Sequence, residues 1–213
     1  MEIPLISKLK KASHKEIAKA QDLIIEEIYK LFDKAVLHGG TVIWRCYHGN
    51  RFSEDIDMYI SKDTKKISLF FEALKKRGFK IAKKKIGERS IYSTLELNRT
   101  FVRFEAIFKK VNGALKEYQT TDGNLITIYT LTPEELIKEK VNAYLKRYKI
   151  RDLYDIFFLL RHVEDKSSIK KELNFFISNF KPPIDKRELK VLIIEGLIPE
   201  IDKMLEYIKN QMH

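Results

Sequence analysis

Cysteine is all but missing from this 213-residue chain: Cys46 stands alone. That excludes an intramolecular disulfide and a cysteine-based zinc site, and it points to a reducing compartment. Nowhere do eighteen apolar residues run together, so no membrane-spanning helix is expected. Charges at Glu2, Lys8, Lys10, Lys11, Lys15 and Glu16 also break up any signal-peptide core. The expectation is a soluble, cytoplasmic protein without a membrane partner. Glycine (8) and proline (5) are sparse, with no repeat, low-complexity tract or long linker. One larger domain or two small ones would fit this length.

What is present is a globular balance, 44% hydrophobic and 33% charged, which supplies enough apolar surface to offset the entropy of ordering. The net charge of +11 is concentrated. Residues 62–116 hold sixteen Lys or Arg against five acids, which accounts for all of it and leaves the remainder neutral. Clustered cations of this kind suit a polyanion, because neutralising phosphates releases counterions. The competing explanation is a solvated lysine-rich face that serves solubility.

Apolar positions at helical spacing (Ile17, Ala20, Leu23, Ile24, Ile28, Leu31, Phe32) predict an amphipathic helix over 13–36, with Ser13 or Ser7 as its N-cap. "AVLHGG" reads as a short buried strand ending at Gly39-Gly40, whereas "TVIWRCYH" fits helix or strand. "SEDIDMYI" alternates as a half-buried strand, and "TKKISLFFEALKKRG" forms a helix stopped at Gly78. Three period-two stretches follow, separated at Gly87-Glu88 and Asn98-Arg99, and then "LITIYTL" after Asp122-Gly123. At Thr132-Pro133-Glu134-Glu135 the pattern turns helical and stays so. The expected architecture is α+β: a mixed or antiparallel sheet with flanking helices and an N-terminal helix over 1–131, then a helical bundle over 132–213.

Within the strand "SEDIDM", Asp55 and Asp57 are two apart and share a face, with Cα atoms about 7 Å apart. Two like charges that close call for a cation, and a hard oxygen-seeking one such as Mg²⁺ fits carboxylates near a nucleotide. Two-metal phosphoryl chemistry needs a further carboxylate on a neighbouring strand. Glu105, in the otherwise aromatic and apolar "FVRFEAIF", has that position; the alternative is a surface acid paired with Arg103 or Lys109. Thirteen residues, 42–54, separate Gly39-Gly40-Thr41 from the Asp55-x-Asp57 pair. Its glycines would let backbone amides approach a triphosphate, and its hydroxyl could bond a phosphate oxygen.

This constellation resembles the nucleotidyltransferase superfamily with a polymerase-β-type palm. "GGT…RFSEDIDM" at 39–58, taken with "EELIKEKVNAYLKRYKIRDLYDIFFL" at 134–159, is similar more specifically to the AbiEii/AbiGii family of type IV toxin-like nucleotidyltransferases, which includes the MenT-type enzymes. The resemblance implies a nucleotide corner at Gly39, Gly40 and Thr41, metal ligands at Asp55 and Asp57, and Arg51 and Ser53 beside the triphosphate. It places Lys140 on the nucleotide phosphates and its Arg-Asp-x-x-Asp motif on Arg151, Asp152 and Asp155, with Asp152 the more important for catalysis. It further implies Mg²⁺ or Mn²⁺ as cofactor, NTP as substrate, an RNA acceptor such as the tRNA 3′ end, and a cognate antitoxin. The residues leave two other readings open: a non-catalytic RNA- or NTP-binding module, and transfer to a protein or small-molecule hydroxyl.

Overall fold

The period-two stretches pair into one seven-stranded mixed sheet. The computed structural model describes residues 4–211, so the outermost residues of the two expected domains, 1–3 and 212–213, lie outside it. Strands β1 (Val36–His38), β2 (Ile56–Ile60), β3 (Lys80–Ile86), β4 (Ser90–Leu97), β5 (Thr100–Phe108), β6 (Ala114–Gln119) and β7 (Leu125–Thr130) lie in the order β3-β4-β5-β2-β1-β7-β6. β1 runs parallel to β7 and β2 parallel to β5; the other neighbours are antiparallel. Asn98 and Arg99 turn the β4–β5 hairpin with φ of 49° and 63°, the paired left-handed conformations of a two-residue type I′ turn. Sequence alternation does not reveal β6. Its only buried side chains are the consecutive Tyr118 and Gln119, so pairing with β7 defines the strand.

Helices α1 (Leu5–Lys8), α2 (Ala12–Leu31), α3 (Gly39–Cys46) and α4 (Thr64–Lys76) belong with the sheet. α2 buries Ile17, Ala20, Ile24 and Ile28, each large side chain contributing about 1.5–3 kcal/mol on removal from water. Its N-cap is Lys11, without a side-chain cap bond; the expectation of Ser13 or Ser7 is corrected, since Ser13 lies inside the first turn. The ambiguous "TVIWRCYH" belongs largely to α3. All eight α3 residues are buried, so no polar face marks its period. Arg45 sits there with its guanidinium 4.0 Å above the Trp44 ring. It donates to the Ala18 and Gln119 carbonyls and pairs with Asp22, which is what makes a buried cation tolerable. α4 starts at Asp63, whose side chain accepts from the Lys66 amide at 3.0 Å. It is followed by Gly78 at φ +92°, a left-handed position that favours glycine.

The two faces of the sheet differ. Phe104, Ile91, Leu95, Met58 and Ile56 are buried, and the Phe104 ring lies 5.0 Å from Phe70 of α4. The alternating residues Tyr92, Arg103, Glu105, Asp57 and Tyr59 are only part-buried and point to the opposite face.

The contacts group residues up to Cys46 with Phe52–Leu131, and Tyr47–Arg51 with the chain from Thr132 onward. The second unit holds α5 (Pro133–Arg147), α6 (Ile150–Leu159), α7 (Lys170–Ser178), α8 (Leu189–Leu192) and α9 (Ile201–Asn210). α5 opens with a reciprocal capping box: the Thr132 hydroxyl accepts from the Glu135 amide at 3.3 Å, and the Glu135 carboxylate accepts from the Thr132 amide at 2.9 Å. Its aromatic core stacks Tyr144 on Phe180 and sets Phe176 edge-on. Tyr47–Arg51 is held in this unit by an Asn50 carbonyl accepting from the Ile194 amide, and by an Arg51–Ile193 bridge. Among the described residues, no helix is long and apolar enough to cross a membrane.

Candidate active site

Strand register assembles the acidic centre. Across the sheet, His38 of β1 stands opposite Asp57 of β2, Asp57 opposite Glu105 of β5, and Glu105 opposite Tyr92 of β4. Residues in register on adjacent strands share a face and come close enough to interact. Glu105 registers that proximity: burial, followed by the charges of Asp57 and Asp55, pushes its carboxyl above the usual range, with Arg103 and His38 offsetting part of the rise.

Asp55 precedes the first residue of β2 and is fixed from two sides. Its carbonyl accepts from the Thr41 hydroxyl, and its carboxylate accepts from Arg103, whose Nε lies 3.4 Å from Glu105. Gly39 begins α3 at φ +76°, and a Cβ built there would fall 2.3 Å from Asp57 Oδ2. Only glycine meets both conditions. The glycine corner and the aspartate pair are therefore one packed unit, with Gly39 accommodating the Asp57 carboxylate and Thr41 holding the Asp55 backbone. Gly40 and Thr41 are buried. Ser53 is also buried, and its carbonyl accepts from Gln21 at 2.9 Å.

A set of three carboxylates offers the hard oxygen donors that Mg²⁺ or Mn²⁺ takes. Among the described residues, no three His, Cys, Asp or Glu side chains are gathered in ligating positions. Arg103 supplies the positive charge shared by Asp55 and Glu105. Carboxylate oxygens are the donor type such a dication takes, but here the cation between Asp55 and Glu105 is the Arg103 guanidinium.

The second unit carries its own charged cluster. Arg51 donates Nε and Nη2 to Asp155, each at 2.8 Å. Lys140 Nζ lies 2.8 Å from Asp155 and 3.8 Å from Asp152. Arg147 donates twice to Asp152, at 2.7 Å. Both aspartates are fully buried and Lys140 nearly so. Burial pushes the Asp155 carboxyl up, but Arg51 and Lys140 outweigh it and leave the group below the usual carboxylate range. Arg147 reaches Asp152 from an exposed position, whereas Arg51 and Lys140 are buried with the two carboxylates. Asp152 is not the cap of α6, which is Lys149; its amide instead donates to the Lys149 carbonyl. Arg151 is half-buried on the same helix.

Register thus brings Asp57 and Glu105 together with Asp55 close by, and the second unit gathers Arg51, Lys140 and Asp152. Sequence reasoning gave no role to His38. It offered Arg103 as a partner of Glu105, which lies 3.4 Å away, and placed Asp155 in the Arg-Asp-x-x-Asp motif, but it missed the bonds of Arg103 to Asp55 and of Asp155 to Arg51 and Lys140. His38 immediately precedes the glycine corner, and that adjacency was the available signal; the contacts of Arg103 and Asp155 depend on pairing between distant segments.

The chain matches known proteins in two ways. The family described as "Nucleotidyl transferase AbiEii toxin, Type IV TA system" matches over residues 24–206. No curated protein sequence matches. Among solved structures, the fold is similar to a candidate nucleotidyltransferase from H. pylori, with TM-score 0.66 and 18% identity over 95% of this chain and 94% of that one. It is also similar to MenT4, a nucleotidyltransferase toxin from Mycobacterium tuberculosis H37Rv, with TM-score 0.62 and 17% identity over 98% and 87%. A third similar structure is JHP933 from Helicobacter pylori, with TM-score 0.58 and 18% identity over 91% and 90%. These likenesses establish a nucleotidyltransferase fold, and the family match spans most of the sequence. The chain belongs to the AbiEii family of nucleotidyl transferase toxins of type IV toxin–antitoxin systems.

Proposed function

We propose that the protein transfers a nucleoside monophosphate from an NTP to a hydroxyl of RNA, with the tRNA 3′ end the leading acceptor, and that a cognate antitoxin restrains it. The observation that carries this reading is the registered Asp57–Glu105 pair with Gly39 packed against the Asp57 carboxylate. In the reaction the acceptor oxygen forms a bond to the α-phosphorus, the bond from that phosphorus to the β-bridging oxygen breaks, and pyrophosphate leaves. Glu105 takes the hydroxyl proton, a task suited to a carboxyl whose proton affinity is raised by burial and by the nearby Asp57 and Asp55. Asp55, Asp57 and Glu105 would hold Mg²⁺ or Mn²⁺, which when bound neutralises phosphate charge. Gly39, Gly40 and Thr41 orient the nucleotide through their backbone, and Ser53 borders it. Lys140, Arg51 and Arg151 are assigned positive charge toward the triphosphate, as the family resemblance implies. Asp152 acts as a positioning residue, holding Arg147 and Lys140 in place. The basic segment 62–116 supplies RNA affinity.

The test is incubation of the intact protein with α-phosphate-labelled NTPs and total RNA, with Mg²⁺ or with chelator. Label should enter RNA, mainly its small tRNA fraction, and only with the dication. Label on protein or on a small-molecule hydroxyl would redirect the acceptor assignment, and no transfer from any NTP would refute the reading.

A further inference from the structure

The sheet face that carries Asp57 and Glu105 continues outward to β3, the edge strand. Its side chains form two adjacent cross-strand rows: Lys85, Tyr92, Glu105 and Asp57 in one, and Lys83, Thr94 and Arg103 in the other. Lys83 and Lys85 are exposed. Lys84, between them, turns to the helical side, where its Nζ lies 5.0 Å from the Phe71 ring. Alternation therefore puts two of the three consecutive lysines on the carboxylate face.

Aromatic surface accompanies the cations. Phe101, two residues before Arg103 on β5, is 55% exposed. Tyr92 lies between Lys85 and Glu105 in its row, with Lys83 Nζ 5.2 Å from its ring. Lysines interleaved with one open ring, Phe101, and one part-buried ring, Tyr92, suit a backbone of phosphates whose bases are unpaired, because a duplex hides its base faces within its own stack.

We propose that this face is the acceptor track, on which an unpaired RNA 3′ segment crosses β3, β4 and β5. Its phosphates meet Lys83 and Lys85, its last bases lie against Tyr92 and Phe101, and its terminal hydroxyl reaches Glu105. This rests on the reading of RNA as acceptor and narrows it. Within the basic segment, the face a lysine occupies decides its contribution, and the ligand is a single-stranded end.

The experiment uses the full chain, a short unstructured oligoribonucleotide with a free 3′ hydroxyl, and the same sequence as a blunt duplex. Binding is followed by fluorescence anisotropy across a salt series, and transfer by label from NTP. Lys83→Glu/Lys85→Glu should weaken single-strand binding about tenfold or more. If the loss of two phosphate contacts is the cause, the slope of log K against log[salt] should fall by about 1.4. Phe101→Ala should cost about fivefold or more, the loss of one stacked base. Lys170→Glu/Lys171→Glu on α7, exposed in wild type, carries the same charge change and should lose little. Unfolding midpoints of all variants check that the fold is intact. If wild type labels RNA but the track and control variants bind and label alike, or if the duplex binds better than the single strand, the track is overturned while the RNA reading stands. If wild type labels no RNA, both fall.

Discussion

Replacing Gly39 by alanine tests the join between the glycine corner and the acidic pair. The new Cβ would stand 2.3 Å from Asp57 Oδ2, where ordinary contact begins at 3.4 Å, so the carboxylate must retreat by about 1.1 Å. A φ of +76° adds about 1–2 kcal/mol of left-handed strain for a residue with a Cβ. In a chain of this size each kcal/mol lowers the unfolding midpoint by about 2–4 °C, so a fall of roughly 2–8 °C is expected in a thermal scan. Displacing a reacting-site group by about 1 Å costs on the order of 100-fold in rate, and nucleotide transfer by Gly39→Ala should drop by about that factor. Gly87→Ala is the matched control: its Cβ would meet nothing nearer than the Ser90 carbonyl at 3.7 Å, and it should leave both readouts near wild type. A Gly39→Ala protein with wild-type midpoint and wild-type transfer would refute the packing argument.

Asp155→Ala removes the buried carboxylate that both Arg51 and Lys140 bond, and should cost about 3–5 kcal/mol in denaturant unfolding. Because the folded Asp155 carboxyl lies below its unfolded value, its stabilisation is present above the ordinary carboxylate range near pH 4 and is lost as pH falls through the folded value. A pH series should therefore show an acid-dependent loss of stability in wild type that is smaller in Asp155→Asn. Thr132→Ala removes one half of the α5 capping box and should lower stability by about 0.5–2 kcal/mol in the same assay. Cys46 is buried, and burial pushes its thiol up to about 12; native protein should resist a thiol reagent at neutral pH that labels it fully in denaturant.

Legibility in the sequence followed locality. Strands β4 and β5 are plain because solvent and core alternate along them, whereas β3, an edge strand exposed along nearly its whole length, is legible mainly from the turn residues Gly78 and Gly87-Glu88 that bound it. The capping box at Thr132 is plain because four consecutive residues build it. α3 stayed ambiguous because burial on all sides erases its period, and β6 was invisible because an edge strand with mostly exposed side chains carries little alternation. The spacing of Gly39 and Asp57 was readable within one short stretch, but not that a Cβ at Gly39 would strike the Asp57 carboxylate. Arg103 on Asp55 and His38 beside Asp57 required the register of β1, β2 and β5. Arg51 meets Asp155 across 104 residues, and nothing local distinguishes Lys140, whose side chain is nearly buried, from the many lysines on the surface.

The central claim is that Asp55 and Asp57, positioned by the glycine corner, carry out nucleotidyl transfer. The most direct measurement is single-turnover transfer of label from an α-phosphate-labelled NTP by wild type and by Asp57→Asn, with circular dichroism confirming equal folding. The account predicts transfer by wild type and a loss of at least about 100-fold in Asp57→Asn, since the substitution removes a charge from the reacting centre. Equal transfer by the two proteins would contradict it.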